Sequence, residues 1–167
     1  AAAAAAVQRL VGGAGATVLT SSLARARQTG RHIADALGVE PVEDAEWDEQ
    51  GFGDWDGASV TDLIRDHPDL LARFRNDPDY TRPGGETQTD LEARVIPALD
   101  RAVARGGTVV IATHRKPILV VLRRVLHLPS ESFWTLATAP ASLTAIATWA
   151  DGNVSVAFTN RTDHLGG

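Results

Sequence analysis

The sequence predicts an α/β layered domain built on a mixed sheet. Three observations predict it. The run Thr108-Val109-Val110-Ile111-Ala112-Thr113 is apolar on both faces, as a strand of a parallel sheet is. Strand-then-helix units occur twice, at 17–37 and at 108–126, and parallel pairing needs such crossovers. Two alternating segments, 142–149 and 154–160, flank Asp151-Gly152-Asn153, a good hairpin turn.

The elements follow in order. Residues 1–11 read as a helix of alanines followed by Val7, Leu10 and Val11 at helical spacing, ended by Gly12, Gly13 and Gly15. Residues 17–20 form a short buried strand. Ser21 or Ser22 then caps a helix that runs to Leu37 and stops at Gly38. Residues 39–58 read as mostly irregular and too polar for core, although they hold Trp47 and Trp55. Helical segments at 60–65 and 70–75 are separated by Pro68, and 77–85 is a turn-rich loop. Residues 87–104 carry Leu91, Val95, Leu99 and Val103 at i, i+4 spacing, with a kink expected at Pro97. A helix at about 117–126 follows the strongest strand. No internal repeat or linker divides the chain, so 1–167 reads as one domain.

Composition narrows the function classes. Against 21 Asp+Glu stand 16 Lys+Arg, a net charge of −5, which argues against a general nucleic-acid or polybasic membrane binder. Without Cys there is no disulfide and no thiolate metal site. His32, His67, His127 and His164 lack metal-ligand spacing, so neither metal nor cofactor is expected. No apolar run approaches the roughly 20 residues of a membrane span. The leading alanines lack the charged region and cleavage site of a secretion segment, and a cytoplasmic location is expected. The chain has no Met and opens on six alanines, so its start was processed away or it continues upstream. All cations but Lys116 are Arg, whose planar fork suits carboxylate and phosphate.

In open α/β sheets ligands bind beyond the carboxyl ends of strands. Two strand ends here feed helix N-termini with cationic or polar side chains. One is Ser21-Ser22-Leu23-Ala24-Arg25; the other is His114-Arg115-Lys116-Pro117. Free N–H groups and partial positive charge at helix N-termini favour an anion such as phosphate. A plainer reading exists beside this one: Arg25 and Arg27 as solvated helix arginines, His114 as a structural histidine, Glu49 as a loop acid. Asp54-Trp55-Asp56 is similar to an Asp-x-Asp nucleophile, but no apolar strand precedes it.

These residues resemble a family. The run from Ser21 to Thr29 resembles the S-x-L-x-R-A-x-x-T element of the histidine phosphatase, or phosphoglycerate-mutase-like, superfamily. The run from Glu49 to Gly57 resembles its E-x-x-F-G-x-W-x-G element. Pro83-Gly84-Gly85-Glu86-Thr87 with Arg94 resembles P-G-G-E-S…R, and Val110 to His114 resembles the strand that carries its second histidine. The flavour is that of the acid phosphatase or α-ribazole phosphatase branch, as in bifunctional ribonuclease H/acid phosphatase proteins. The resemblance implies a three-layer αβα sandwich with a mostly parallel mixed sheet. It implies phosphomonoester hydrolysis through a phosphohistidine, with no metal. By position it makes Arg25 the phosphate clamp, His114 the second pocket histidine and Glu49 the general acid. It also implies a small phosphorylated substrate and a ribonuclease H domain upstream in the full-length protein.

Two departures stand out. No Arg-His-Gly occurs in the 167 residues, and Arg31-His32-Ile33 lies mid-helix. The sheet is therefore expected to lack its first strand, which would carry the nucleophile upstream of Ala1. Arg115 stands where many members have Gly, and is a candidate substrate contact. Two other readings remain open: a phosphoglycerate-mutase-type transfer, and a non-catalytic phospho-ligand-binding module without the nucleophile. The region 39–85 is the expected lid and specificity element in any of them.

Overall fold

The computed structural model describes residues 1–12, 15–129, 132 and 135–166. The expected end of the first helix at Gly13 falls outside these. The elements are α1 (Ala2–Val11), β1 (Thr17–Thr20), α2 (Ala24–Leu37), β2 (Pro41–Glu43), α3 (Val60–Asp66), α4 (Pro68–Asn76), α5 (Gln88–Ala104), β3 (Val109–Ala112), α6 (Arg115–Leu126), β4 (Leu143–Thr148) and β5 (Val154–Arg161). β2, β1 and β3 form a parallel sheet in that order, with Thr17 opposite Val109 and Val18 opposite Pro41. β4 and β5 form a separate antiparallel pair.

The pleat of β1 divides the core between two layers, because successive side chains point to opposite faces. Val18 packs with Ala4 and Val7 of α1 and with Ile33, Ala34 and Leu37 of α2. Leu19 packs on the other side with Leu91, Val95 and Leu99 of α5 and Leu119 and Val120 of α6. α2 lies close to the sheet: a Cβ at Gly30 would come within 2.1 Å of the Thr20 methyl. This is the α/β layering the sequence predicts.

The local differences have physical causes. Ser21 and Ser22 do not cap α2; the cap position is Leu23, without a side-chain bond, because both serine hydroxyls are taken by Asp48. β2 was not expected, since Pro41-Val42-Glu43 is too short to show alternation. Trp47, in the stretch expected to lie outside the core, is 1% exposed and packs with Leu91 and Leu119. α6 begins at Arg115, two residues before the expected start. α5 is continuous through Pro97, and Thr87 caps it in a reciprocal box with Asp90.

β3 is apolar, yet only Ala112 of its four residues is fully buried. Among the described residues its edge away from β1 pairs with no strand. In β4, Leu143 packs against the α1/α2 layer and Ile146 against the α5/α6 layer. The hairpin thus shares both layers without joining the parallel sheet. No helix among the described residues is long and apolar enough to cross a membrane.

Candidate active site

The carboxyl ends of β1 and β3 are neighbours, so the residues just beyond them meet. Ser21 donates its backbone N–H to the Ala112 carbonyl at 2.9 Å, which extends the pairing to the brink of the site. One residue past Thr113, His114 takes the cap position of α6 and is 7% exposed. Arg25, in the first turn of α2, reaches across and donates Nε–H to His114 Nδ1 at 3.1 Å. The other ring nitrogen, Nε2, lies 2.8 Å from the Ser21 hydroxyl. Burial and the Arg25 charge push the His114 imidazole down to about 4, against an opposing pull from Asp48.

Asp48 binds the serine pair. Its carboxylate accepts Ser21 Oγ–H at 2.6 Å, Ser22 N–H at 2.7 Å and Ser22 Oγ–H at 2.6 Å. Burial alone would raise this carboxyl. The hydrogen bonds from Ser21 and Ser22, with the Arg94 charge behind them, hold it below its ordinary value.

Glu49 comes next in the chain and behaves oppositely. Burial raises its carboxyl, against N–H donation from Gln50 and Lys116 and the charges of Lys116 and Arg25. A carboxyl so raised keeps its proton to higher pH, which is what a proton donor needs. Adjacent acids are thus shifted in opposite directions from their ordinary values.

The loop that carries both acids is fastened by arginines. Arg94 of α5 donates to the carbonyls of Glu46, Asp48 and Glu49 at 2.7, 3.0 and 3.2 Å and pairs with Glu86 at 2.6 Å. Arg82 is fully buried and donates to the carbonyls of Gly51 and Phe52 at 2.6 and 3.3 Å. The Gly51–Gly53 and Pro83–Glu86 turns dock backbone to backbone. Gly53 has φ 55°, and a Cβ there would fall 2.2 Å from the Pro83 carbonyl oxygen. This contact gives a physical reason for glycines in both motifs.

Three of the sequence-predicted site residues therefore converge. Arg25 and His114 touch, and Glu49 accepts the backbone N–H of Lys116, two residues after His114, at 3.1 Å. Arg115, half-buried at the start of α6, helps lower the Lys116 ammonium. Sequence reading missed Ser21, Asp48 and Lys116. Ser21 was assigned to helix capping. Asp48 adjoins Glu49 with no spacing of its own to mark it. Lys116 is 4% exposed, and burial, only partly offset by Glu49, pushes its amine down to about 7. Its Nζ lies 4.6 Å from the centre of the Phe74 ring, which α4 extends from the expected lid. Among the described residues no cluster of His, Cys, Asp and Glu could hold a metal ion. A cavity of about 300 Å³ lies elsewhere, between α5 and α6, where Arg123 is paired with Glu92.

Known proteins are similar to this chain in sequence and in fold. The bifunctional protein Rv2228c of Mycobacterium tuberculosis is 35% identical over 152 residues, 90% of this chain and 42% of that one. The chain thus spans less than half of that relative. A 2,3-bisphosphoglycerate-dependent phosphoglycerate mutase of Mesorhizobium japonicum is 36% identical over 103 residues, 57% of this chain and 50% of the mutase. The mycobacterial glucosyl-3-phosphoglycerate phosphatase Rv2419c superposes with a TM-score of 0.82 at 25% identity, over 96% of this chain and 84% of its own. Residues 1–161 match the histidine phosphatase superfamily, branch 1, and the chain belongs to that family.

Proposed function

We propose that the chain supplies the phosphate pocket and general acid of a phosphomonoester hydrolase, of acid phosphatase type, that works through a phosphohistidine. One observation carries the reading. Two strand-end groups, Arg25 and His114, meet at 3.1 Å beside Glu49, a carboxyl that burial raises from its ordinary value. Arg25 and His114 bind the phosphoryl oxygens, where charge builds in the transition state. Arg115 is the further substrate contact. A histidine nitrogen attacks phosphorus, the bond to the ester oxygen breaks, and Glu49 gives that oxygen its proton. Water then attacks the phosphohistidine, Glu49 takes up its proton, and phosphate leaves.

The nucleophile is expected on an Arg-His-Gly strand outside these 167 residues. The edge of β3 supports a place for it. β3 is apolar and only partly buried, and β4 already packs on both layers of the core. A strand inserted there would run beside β3 and end near His114. The same reading places a ribonuclease H domain upstream and the protein in the cytoplasm. It takes the region 39–85 as the lid over a small phosphorylated substrate.

The test uses the full-length protein and p-nitrophenyl phosphate. Hydrolysis is expected, with a loss of about 100-fold or more in kcat for His114→Ala. An unchanged rate in that variant would overturn the assignment. Phosphate binding without turnover would favour the non-catalytic module. Interconversion of phosphoglycerates faster than their hydrolysis would favour the mutase.

A further inference from the structure

His114 is held from both sides, and the two sides differ in kind. At Nδ1 stands Arg25, an exposed side chain whose charge is free to turn toward an arriving anion. At Nε2 stands the Ser21 hydroxyl, buried against the ring at 2.8 Å. A hydroxyl has one proton to give and two lone pairs. The Ser21 proton is committed: Asp48 Oδ1 lies 2.6 Å away, and two oxygens cannot approach so closely without a proton between them. The backbone N–H of Leu23, at 3.1 Å, takes one lone pair of the same oxygen. Toward His114 Ser21 has only an acceptor left.

From this we propose that Asp48, acting through Ser21, is a positioning residue that latches His114 as the Nε2–H tautomer with Nδ1 turned to the anion pocket. The latch works without Arg25. When a phosphate draws the guanidinium away, the ring neither turns nor changes tautomer. Its Nδ1 lone pair then meets the ligand, accepting from P–OH or, once protonated, donating to a phosphoryl oxygen. Asp48 also counters positive charge on the ring, at one remove. The consequence for catalysis rests on the phosphatase reading; the latch itself does not.

The decisive measurement is nitrogen-15 NMR of the histidine side chains of this chain, with His114→Asn identifying the His114 signals. In Arg25→Ala, where the guanidinium no longer biases the ring, Nε2 is expected still protonated and Nδ1 bare at pH 7. Adding Asp48→Asn releases the Ser21 proton. His114 should then show both tautomers, as a solvated histidine does. Arg25→Ala with Ser21→Thr keeps the hydroxyl and should keep the single tautomer, which shows that altering a side chain beside the ring does not by itself release it. An Nδ1–H ring in Arg25→Ala, or an unchanged tautomer after Asp48→Asn, would overturn the latch. Adding inorganic phosphate to the native chain should move Nδ1 and leave Nε2 in place; a shift at Nε2 instead would overturn it too. A latched ring with no phosphate response would leave the latch standing and remove the pocket reading.

Discussion

Arg94 and Arg82 hold the same loop by different physics. Arg94 is one-fifth exposed, forks onto Glu86 and reaches three carbonyls. Burial would lower its guanidinium, but Glu86, Asp48 and Glu46 keep it above its ordinary value. Among the described residues Arg82 forms no salt bridge, and Asp56 and Glu86 act on it only as more distant charges. Its guanidinium carbon lies 4.2 Å from the centre of the Phe74 ring and 4.5 Å from that of Phe52, with Trp55 at 5.7 Å. Burial lowers it, and its Nη1 is buried with no hydrogen-bond partner among the described residues. The first arginine is an ionic brace near the acids. The second is a cation set among aromatic rings, at the base of the expected lid. A brace that must set a carboxylate's position needs directional bonds, whereas one under a lid tolerates a looser, non-directional attraction.

The comparison predicts unequal losses. Arg94→Met strands Glu86 and removes donors from three carbonyls, so a loss of about 3 kcal/mol is expected in urea unfolding. Arg82→Met strands no carboxylate, and about 1–2 kcal/mol is expected from two carbonyls and the ring contacts. Equal losses would mean that ring contacts hold the loop as firmly as the ion pair does.

Lys116 sharpens the point, since it shares the Phe74 ring with Arg82. The unfolded chain keeps the lysine proton to about pH 10.5, and the folded chain gives it up at about 7. The unfolded state therefore binds the extra proton in that window, and stability rises with pH by at most about 1.4 kcal/mol per unit. Lys116→Met should remove that slope. Arg82→Met should move the Lys116 midpoint upward, because the Arg82 charge helps hold it down. A midpoint near 10.5 in the native chain, read by NMR of this single lysine, would contradict its burial.

The smallest effect concerns His114. It should titrate at about 4, whereas an unperturbed histidine does so near 6.5. Between those values the unfolded chain binds the proton and the folded chain does not. Acidification across this window thus costs stability, with the contribution fully present above pH 6.5. His114→Asn should flatten that part of the profile. Arg25→Ala should raise the midpoint of His114 by removing a like charge.

Much of this was legible before folding. The α/β layered class followed from Val109–Ala112, the paired strand–helix units and the hairpin, whereas the three layers were implied by the family resemblance. The family followed from four motifs, and Arg25, His114 and Glu49 were each marked by one. Asp48 was not, and neither was the use of Ser21. Their roles come from a hydrogen bond between positions 27 residues apart, and sequence spacing carries no record of that. Trp47 was misread for a related reason: it lies in a polar stretch, and only the packing of α5 against the sheet buries it.

Residue type and local pattern determined what could form, because helix periodicity, strand apolarity and turn chemistry act over a few neighbours. The acids and cations were likewise present in the sequence as candidates. Which carboxyl is lowered and which is raised was decided only by tertiary structure. Asp48 and Glu49 are adjacent in the chain, yet one receives the serine donors and the other is buried deeply enough for desolvation to win. Protonation depends on the whole surrounding shell of dipoles and charges, and that shell exists only when β1, β3, α5 and the loop between them have come together.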